Sequence, residues 1–304
     1  MRRQRELKIM HVDAFTDIPF GGNPATVVLG ANHISKENLL KISREFNVRE
    51  TVFVSSSNRA DFKFRYMTPN GELGFSGHPT IAAFHALIQE GLVEVVQDVN
   101  MCTLETSTGV LDVEIVRNDT TGNHEVQILH STPSFMEAYD PKDYAEALGL
   151  TLADFSTINP IQTVSTGTPH LMIPVSTQRA LDNISPDWKR LVELGQDADY
   201  VSVQVFTHDV RDVTSDFQVR HFAPRLGVNE DPVSGSGAGA MAGYILKYGL
   251  MDPSVPVTSI VVEQGHYVGR PGNVFVEVTG DRENISQVRV GGTAVLILRG
   301  TLFL

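Results

Sequence analysis

FKFRYMTPNGELGFSGHPTIAAFHALIQEG at residues 62–91 and FQVRHFAPRLGVNEDPVSGSGAGAMAGYILKYG at residues 217–249 are two versions of one pattern. Each opens with alternating apolar residues, passes an aromatic or Met, a small residue and Pro, then turns through an acidic loop. A short Ser-Gly-x element follows and leads into an apolar helix. Thr68-Pro69 answers Ala223-Pro224, and Ser76-Gly77-His78 answers Ser234-Gly235-Ser236, both at a spacing of about 155 to 158 residues. The match continues downstream, where TSTGVLDVEIV (106–116) parallels VEQGHYVGRPGNVFVEV (262–278). It continues more weakly upstream, between VDAFTDIPFGGNPATVVL (12–29) and VSTGTPHLMIPV (164–175). Several echoes in one order at nearly one spacing imply a duplication. We therefore expect a first half over 1–130, completed by the last strand within 294–304, and a second half over 131–293.

Most of each half reads as strand: FKFRYM, LDVEIV, EVQILH, DFQVRHF, SIVVEQ, NVFVEV and QVRVGG have period-2 or β-branched character. SKENLLKISREFN (35–47) predicts an amphipathic surface helix that Ser35 can cap. TIAAFHALI and AGAMAGYIL differ, being apolar or small on nearly every face, which predicts helices buried all round. Pro79 reads as a first-helical residue of one, ended by Gly91, and the other spans about Gly237 to Tyr248 before Gly249. A strand-rich half with one such helix suggests a sheet wrapped around it, and two halves side by side would bring both helix starts to a cleft.

The chain has 304 residues with globular proportions: 41% hydrophobic, 20% charged, and a net charge of -12. That charge, without a basic patch, argues against a nucleic-acid partner. Cys102 is the one cysteine, so neither an internal disulfide nor a four-thiolate zinc site is available. The basic start MRRQRELK is followed by IMHVDAFTD, not by a long apolar run, so we expect no signal peptide, no membrane span and a cytoplasmic protein.

Gly77-His78 and Gly235-Ser236 open the two buried helices. Helix starts offer unpaired N–H groups and the positive end of the dipole, and Gly lets a ligand come close, so a small carboxylate would suit such sites. Simple capping is the plainer reading. Three candidate acids or bases stand nearby in the pattern. Glu50 in NVRETVFV enters a strand, and by default it would be a surface side chain. Asp231 precedes Pro232 in NEDPVSGSG, where ordinary turn chemistry also suffices. His78 is a cap, a core residue or a catalytic group. Together they would suit removal of a proton beside an acidifying group and its delivery elsewhere. Competing signatures are absent: the ten His lack HExxH or paired metal spacing, and GxSxG, GxxxxGK[ST] and GxGxxG do not occur.

DAFTDIPFGGNPATVVL (13–29), RETVFV (49–54), TPNGELGFSGHPTIAA (68–83) and EDPVSGSGAGAMAGYI (230–245) together resemble the phenazine-biosynthesis PhzF family over nearly the whole chain. The resemblance implies the α+β fold of diaminopimelate epimerase: two pseudo-symmetric halves, each a barrel-like, mostly antiparallel sheet around a central helix, with the active site in the cleft between them. It implies a cofactor-independent isomerase of the trans-2,3-dihydro-3-hydroxyanthranilate type, and a homodimer. Glu50 would take and return the proton and Asp231 would support proton handling. His78 and Ser236, with the backbone of Gly77 and Gly235, would hold the substrate's carboxylate and polar groups. The epimerase relatives place a cysteine at each helix start, whereas this chain has Ser76 and Ser234, too weak as an acid–base pair without an activating partner. The alternatives are an amino-acid racemase or epimerase, and a non-catalytic carboxylate-binding protein.

Overall fold

The alternating stretches become strands, and the two apolar runs become buried helices. The computed structural model describes residues 5–117, 122–254 and 256–304. They form two compact units: residues up to Leu129 with Gly291–Leu304, and His130–Val290.

The first unit begins with β1 (Glu6–Ala14), β2 (Asn23–Leu29), α1 (Lys36–Phe46), β3 (Thr51–Ser55), β4 (Phe62–Thr68) and β5 (Gly71–Leu73). It continues with α2 (Gly77–Gln89), β6 (Val99–Thr106), β7 (Gly109–Arg117) and β8 (His124–His130). The second unit comprises β9 (Ser134–Tyr139), α3 (Pro141–Leu148), β10 (Ile161–Ser165), β11 (Pro169–Pro174), α4 (Gln178–Asn183) and α5 (Trp188–Leu194). After these come β12 (Ser202–Thr207), β13 (Phe217–Ala223), β14 (Val228–Asp231), α6 (Gly235–Tyr248), β15 (Val257–Gln264), β16 (Gly272–Gly280) and β17 (Ile285–Gly292). The last strand, β18 (Ala294–Phe303), belongs to the first unit and pairs with β1.

The strands of the two units repeat one pairing scheme. In the first unit, β1–β2 is antiparallel, β2–β3 parallel, β3–β4 antiparallel and β4–β6 parallel. There β4 also carries the short antiparallel β5, and β6 continues into β7. In the second unit, β10–β11, β11–β12, β12–β13, β13–β15, β13–β14 and β15–β16 follow the same alternation. The two parallel pairs in each unit are the ones joined by helical crossovers, as parallel neighbours require.

Ser35 caps α1, accepting from Asn38 N–H at 3.3 Å, and Asn47 ends it in the left-handed region at φ 49°. The buried helices start earlier than the residue pattern suggested: α2 begins at Gly77, so Pro79 is its third residue, and α6 begins at Gly235. Helix α2 packs on β1, β2, β3 and β18, and α6 on β10, β11 and β16. The abundance of Gly in α6 is disfavoured by helix propensity. Close packing accounts for it, because a Cβ on Gly243 would lie 2.6 Å from Pro133 Cγ. Helices α3, α4 and α5 were not anticipated; they are short, and only one face of each is buried. Among the described residues no helix is long and apolar enough to cross a membrane.

Three histidines are held neutral in these cores. Burial, with His124 nearby, lowers His85 to about 4. Burial lowers His130 to about 4 and takes His170 well down, His221 and His130 adding to the effect on His170. The unfolded chain would take up protons on these rings near pH 6.5, so their neutrality stabilises the fold above that pH, and the contribution is lost as pH falls toward 4. The melting temperature is therefore expected to fall between pH 7 and pH 5, and less steeply in a His85→Gln variant. A parallel pH profile in the two proteins would contradict this.

Candidate active site

In the first unit the site residues gather around the start of α2. Glu50 follows α1 and immediately precedes β3, and its carbonyl accepts from Thr26 N–H at 3.3 Å. Its side chain is buried, with Arg49 Nε 3.8 Å from Oε1. The reading of Glu50 as a surface glutamate is thereby corrected. Its charge is felt at Tyr66 on β4, whose hydroxyl is pushed far above the ordinary phenol range by burial first and by Glu50 as well. Thr80 Oγ1 donates to the Ser76 carbonyl at 2.6 Å, so the 2.6 Å contact between Tyr66 and Thr80 has Tyr66 as donor. This chain of contacts ties β4, beside Glu50, to the first turn of α2. His78 lies in that turn, buried, next to half-buried Gly77. Ser76, at the cap position, makes no side-chain capping bond.

In the second unit the corresponding residues gather around α6. Asp231 ends β14 and is buried. Gln264, at the end of β15, donates to the Asp231 carbonyl at 2.7 Å and accepts from Ser234 N–H at 3.3 Å. The loop between Asp231 and α6 is thus pinned at both ends. Gly265 follows at φ 90°, where a Cβ would sit 2.1 Å from the Arg270 carbonyl oxygen, so only glycine fits beside that pin. Ser234 caps α6 by accepting from Gly237 N–H at 3.3 Å, Gly235 is buried, and Ser236 is half-buried in the first turn.

Strand register aligns the two copies residue by residue. Thr51 pairs with Met67 as Val203 pairs with Phe222, which sets Glu50 against Ser202. Tyr66 pairs with Leu73 as His221 pairs with Asp231, which sets Leu73 against Asp231. His78 answers Ser236 at the helix starts. Each chemical group therefore occurs in one copy only. Among the described residues, no group of three or more His, Cys, Asp or Glu side chains is arranged to hold a metal ion.

With this geometry in hand, comparison with known proteins decides the family. The family model of phenazine biosynthesis-like proteins, PhzC-PhzF, matches residues 12–300. The chain belongs to this family. The phenazine biosynthesis-like chain is 32% identical over 293 residues to the uncharacterized isomerase YfhB of Bacillus subtilis, covering 96% of this chain and 97% of the relative. A PhzF-family phenazine biosynthesis protein of Bacillus anthracis superposes with a TM-score of 0.89 at 30% identity, over 99% of this chain and 100% of that one. A hydroxyproline epimerase from Agrobacterium vitis superposes with a TM-score of 0.61 at 16% identity, over 100% of this chain and 93% of that one, and so shares the fold. By class, the phenazine biosynthesis-like chain is an isomerase, with an epimerase-like α+β fold.

Four residues beside these candidates carry no motif signal. Arg49 opens RETVFV, where nothing in its surroundings sets it apart from a surface arginine. Tyr66, Gln264 and His221 sit in strands, where period-2 alternation marks a buried face but not which polar residue on it meets a helix start.

Proposed function

We propose that the chain is a cofactor-independent isomerase that moves a proton between two carbons of a small carboxylate. The observation that carries this reading is that Glu50, His78 and Asp231 are all buried, each beside the start of a buried helix, and each without an equivalent in the other copy. Glu50 serves as the base that takes the proton and the acid that returns it, with Asp231 as the second acid. His78 and Ser236, with the backbone N–H groups at Gly77 and Gly235, hold the carboxylate, as helix starts favour anions. A compound of the trans-2,3-dihydro-3-hydroxyanthranilate type, a cyclic carboxylate with an acidified C–H, fits this division of roles.

A racemase with two matched groups is less well supported. The matched positions hold Ser76 and Ser234, and the Ser234 hydroxyl already caps α6. The test is a panel of small cyclic and amino carboxylates, screened by thermal shift and followed by NMR in heavy water. We expect an accepted compound to isomerise with deuterium entering at the carbon that receives the proton. Deuterium confined to the α-carbon of an amino acid would favour the racemase. Binding with no exchange anywhere would make the chain a carboxylate-binding protein.

A further inference from the structure

One row of side chains in the second unit has no counterpart in the first. Gln204 on β12 stands opposite His221 on β13, and His221 stands opposite Asp231 on β14. Directly opposed residues share a sheet face, with Cβ atoms about 4.5–5.5 Å apart, so the three form a continuous line. All are buried, Gln204 completely. Two residues further along β12, Ser202 Oγ meets His170 Nδ1 at 2.6 Å, and the His170 and His221 rings meet edge to face with centroids 5.4 Å apart. The first turn of α6 rests on this row: a Cβ on Gly237 would lie 2.3 Å from Gln204 Oε1 and 3.0 Å from His221 Nδ1.

The first unit serves as an internal control. Its same three sheet positions hold Val52, Tyr66 and Leu73. The architecture therefore stands without a buried amide, imidazole and carboxylate at these places. Polar groups taken out of water are unfavourable unless hydrogen-bonded, so a polar row confined to the half that carries Asp231 points to a function there.

The contacts also define the imidazole. Gln204 Nε2 lies 3.8 Å from Met241 Sδ, a weak acceptor that cannot donate, which sets the amide's NH2 on that side. Gln204 Oε1 is then the atom 2.6 Å from His221 Nδ1, so Nδ1 carries the proton and Nε2 is the basic nitrogen. We propose that His221 is a positioning residue for Asp231: Gln204 holds the ring in the Nδ1–H form, and Nε2 shares a single proton with the Asp231 carboxyl. The ring thereby fixes the orientation of the Asp231 carboxyl beside the start of α6. This inference rests on the reading of Asp231 as the second acid.

The experiment uses the full chain without substrate, labelled with 15N-histidine, in two-bond 15N–1H correlation spectra at neutral pH. The His221 signals are identified by their loss in His221→Gln. The proposal requires a protonated Nδ1 and an Nε2 shift intermediate between bare and protonated nitrogen. In Asp231→Asn, whose amide cannot exchange a shared proton, Nε2 moves to the value of a plain acceptor with Nδ1 unchanged. In Gln204→Leu the single tautomer is lost. An Nε2 shift that ignores Asp231→Asn, or a ring protonated on Nε2 alone, overturns the proposal. Because no substrate is present, this result is independent of turnover. Full activity in Glu50→Gln would show that another group is the base and leave the His221–Asp231 pair untouched.

Discussion

Replacing Glu50 by Gln is expected to leave a folded protein whose proton-transfer rate has fallen by about 10²- to 10⁴-fold, the usual range for a general acid–base group. The side chains are nearly the same size, and the backbone carbonyl that accepts from Thr26 N–H is untouched. What is lost is the ability to take a proton. Arg49, 3.8 Å away, can still meet the amide oxygen, so the site does not collapse around an unpaired guanidinium. Deuterium exchange into an accepted carboxylate measures the rate, and the melting temperature checks the fold. An undiminished rate in the variant would mean that another group is the base. Asp231→Asn should lower the rate as well, by a smaller factor, because it retains a hydrogen-bond donor at the same place.

The second large effect concerns stability. Each copy contains a fork in which an arginine meets a glutamate across a short hairpin. Arg65 Nε and Nη2 bind Glu72 at 2.7 and 3.0 Å, and Arg220 Nε and Nη2 bind Glu230 at 2.9 and 2.8 Å. Their settings differ. The Arg65 side chain is 27% exposed and Glu72 also has Lys36 at 2.9 Å, whereas the Arg220 side chain is 9% exposed. Arg220 Nη1 donates to the carbonyls of Leu181 and Ile184, and the guanidinium lies 4.2 Å from the Tyr267 ring centre. Arg220→Ala would leave the largely covered Glu230 carboxylate without its guanidinium and the Ile184 carbonyl without its side-chain donor, while Leu181 keeps the Ile184 N–H, a loss of about 3 kcal/mol. Arg65→Ala leaves Glu72 with Lys36 and water, a loss of about 1 kcal/mol. Urea titration of both variants checks the contrast, and equal losses would show that burial does not decide the value of the fork.

These forks also show what was legible in the chain and what was not. Arg65 and Arg220 occupy the same place in the two quoted stretches, as do Glu72 and Glu230. The hairpin between them is longer in the second copy, where Pro224–Leu226 forms a 3₁₀ turn before Gly227, so the paired acids fall out of step by three letters. Alternation and apolar helices survive such an insertion, because they depend on local period and composition. A side-chain pair across a turn does not, because it depends on register. Helices α3 to α5 were missed for a related reason: runs of 8, 6 and 7 residues cover too few turns for a 3.6-residue period to stand out. Glu50 carries no local signal of its kind. Its burial follows from α1 returning the chain to β3 beside the start of α2, and family resemblance alone singled it out. Gln204 and His221 look like ordinary strand residues until the first copy shows Val52 and Tyr66 in their places.

The most direct test is a crystal structure of the chain with a carboxylate that it isomerises, or an unreactive mimic of one. The account predicts the ligand's carboxylate on the amides of Gly77 or Gly235 with His78 or Ser236 beside it, and the Glu50 carboxylate about 3–3.5 Å from the carbon that loses its proton. A ligand whose carboxylate lies away from both helix starts, or whose reacting carbon lies out of reach of Glu50, would contradict it.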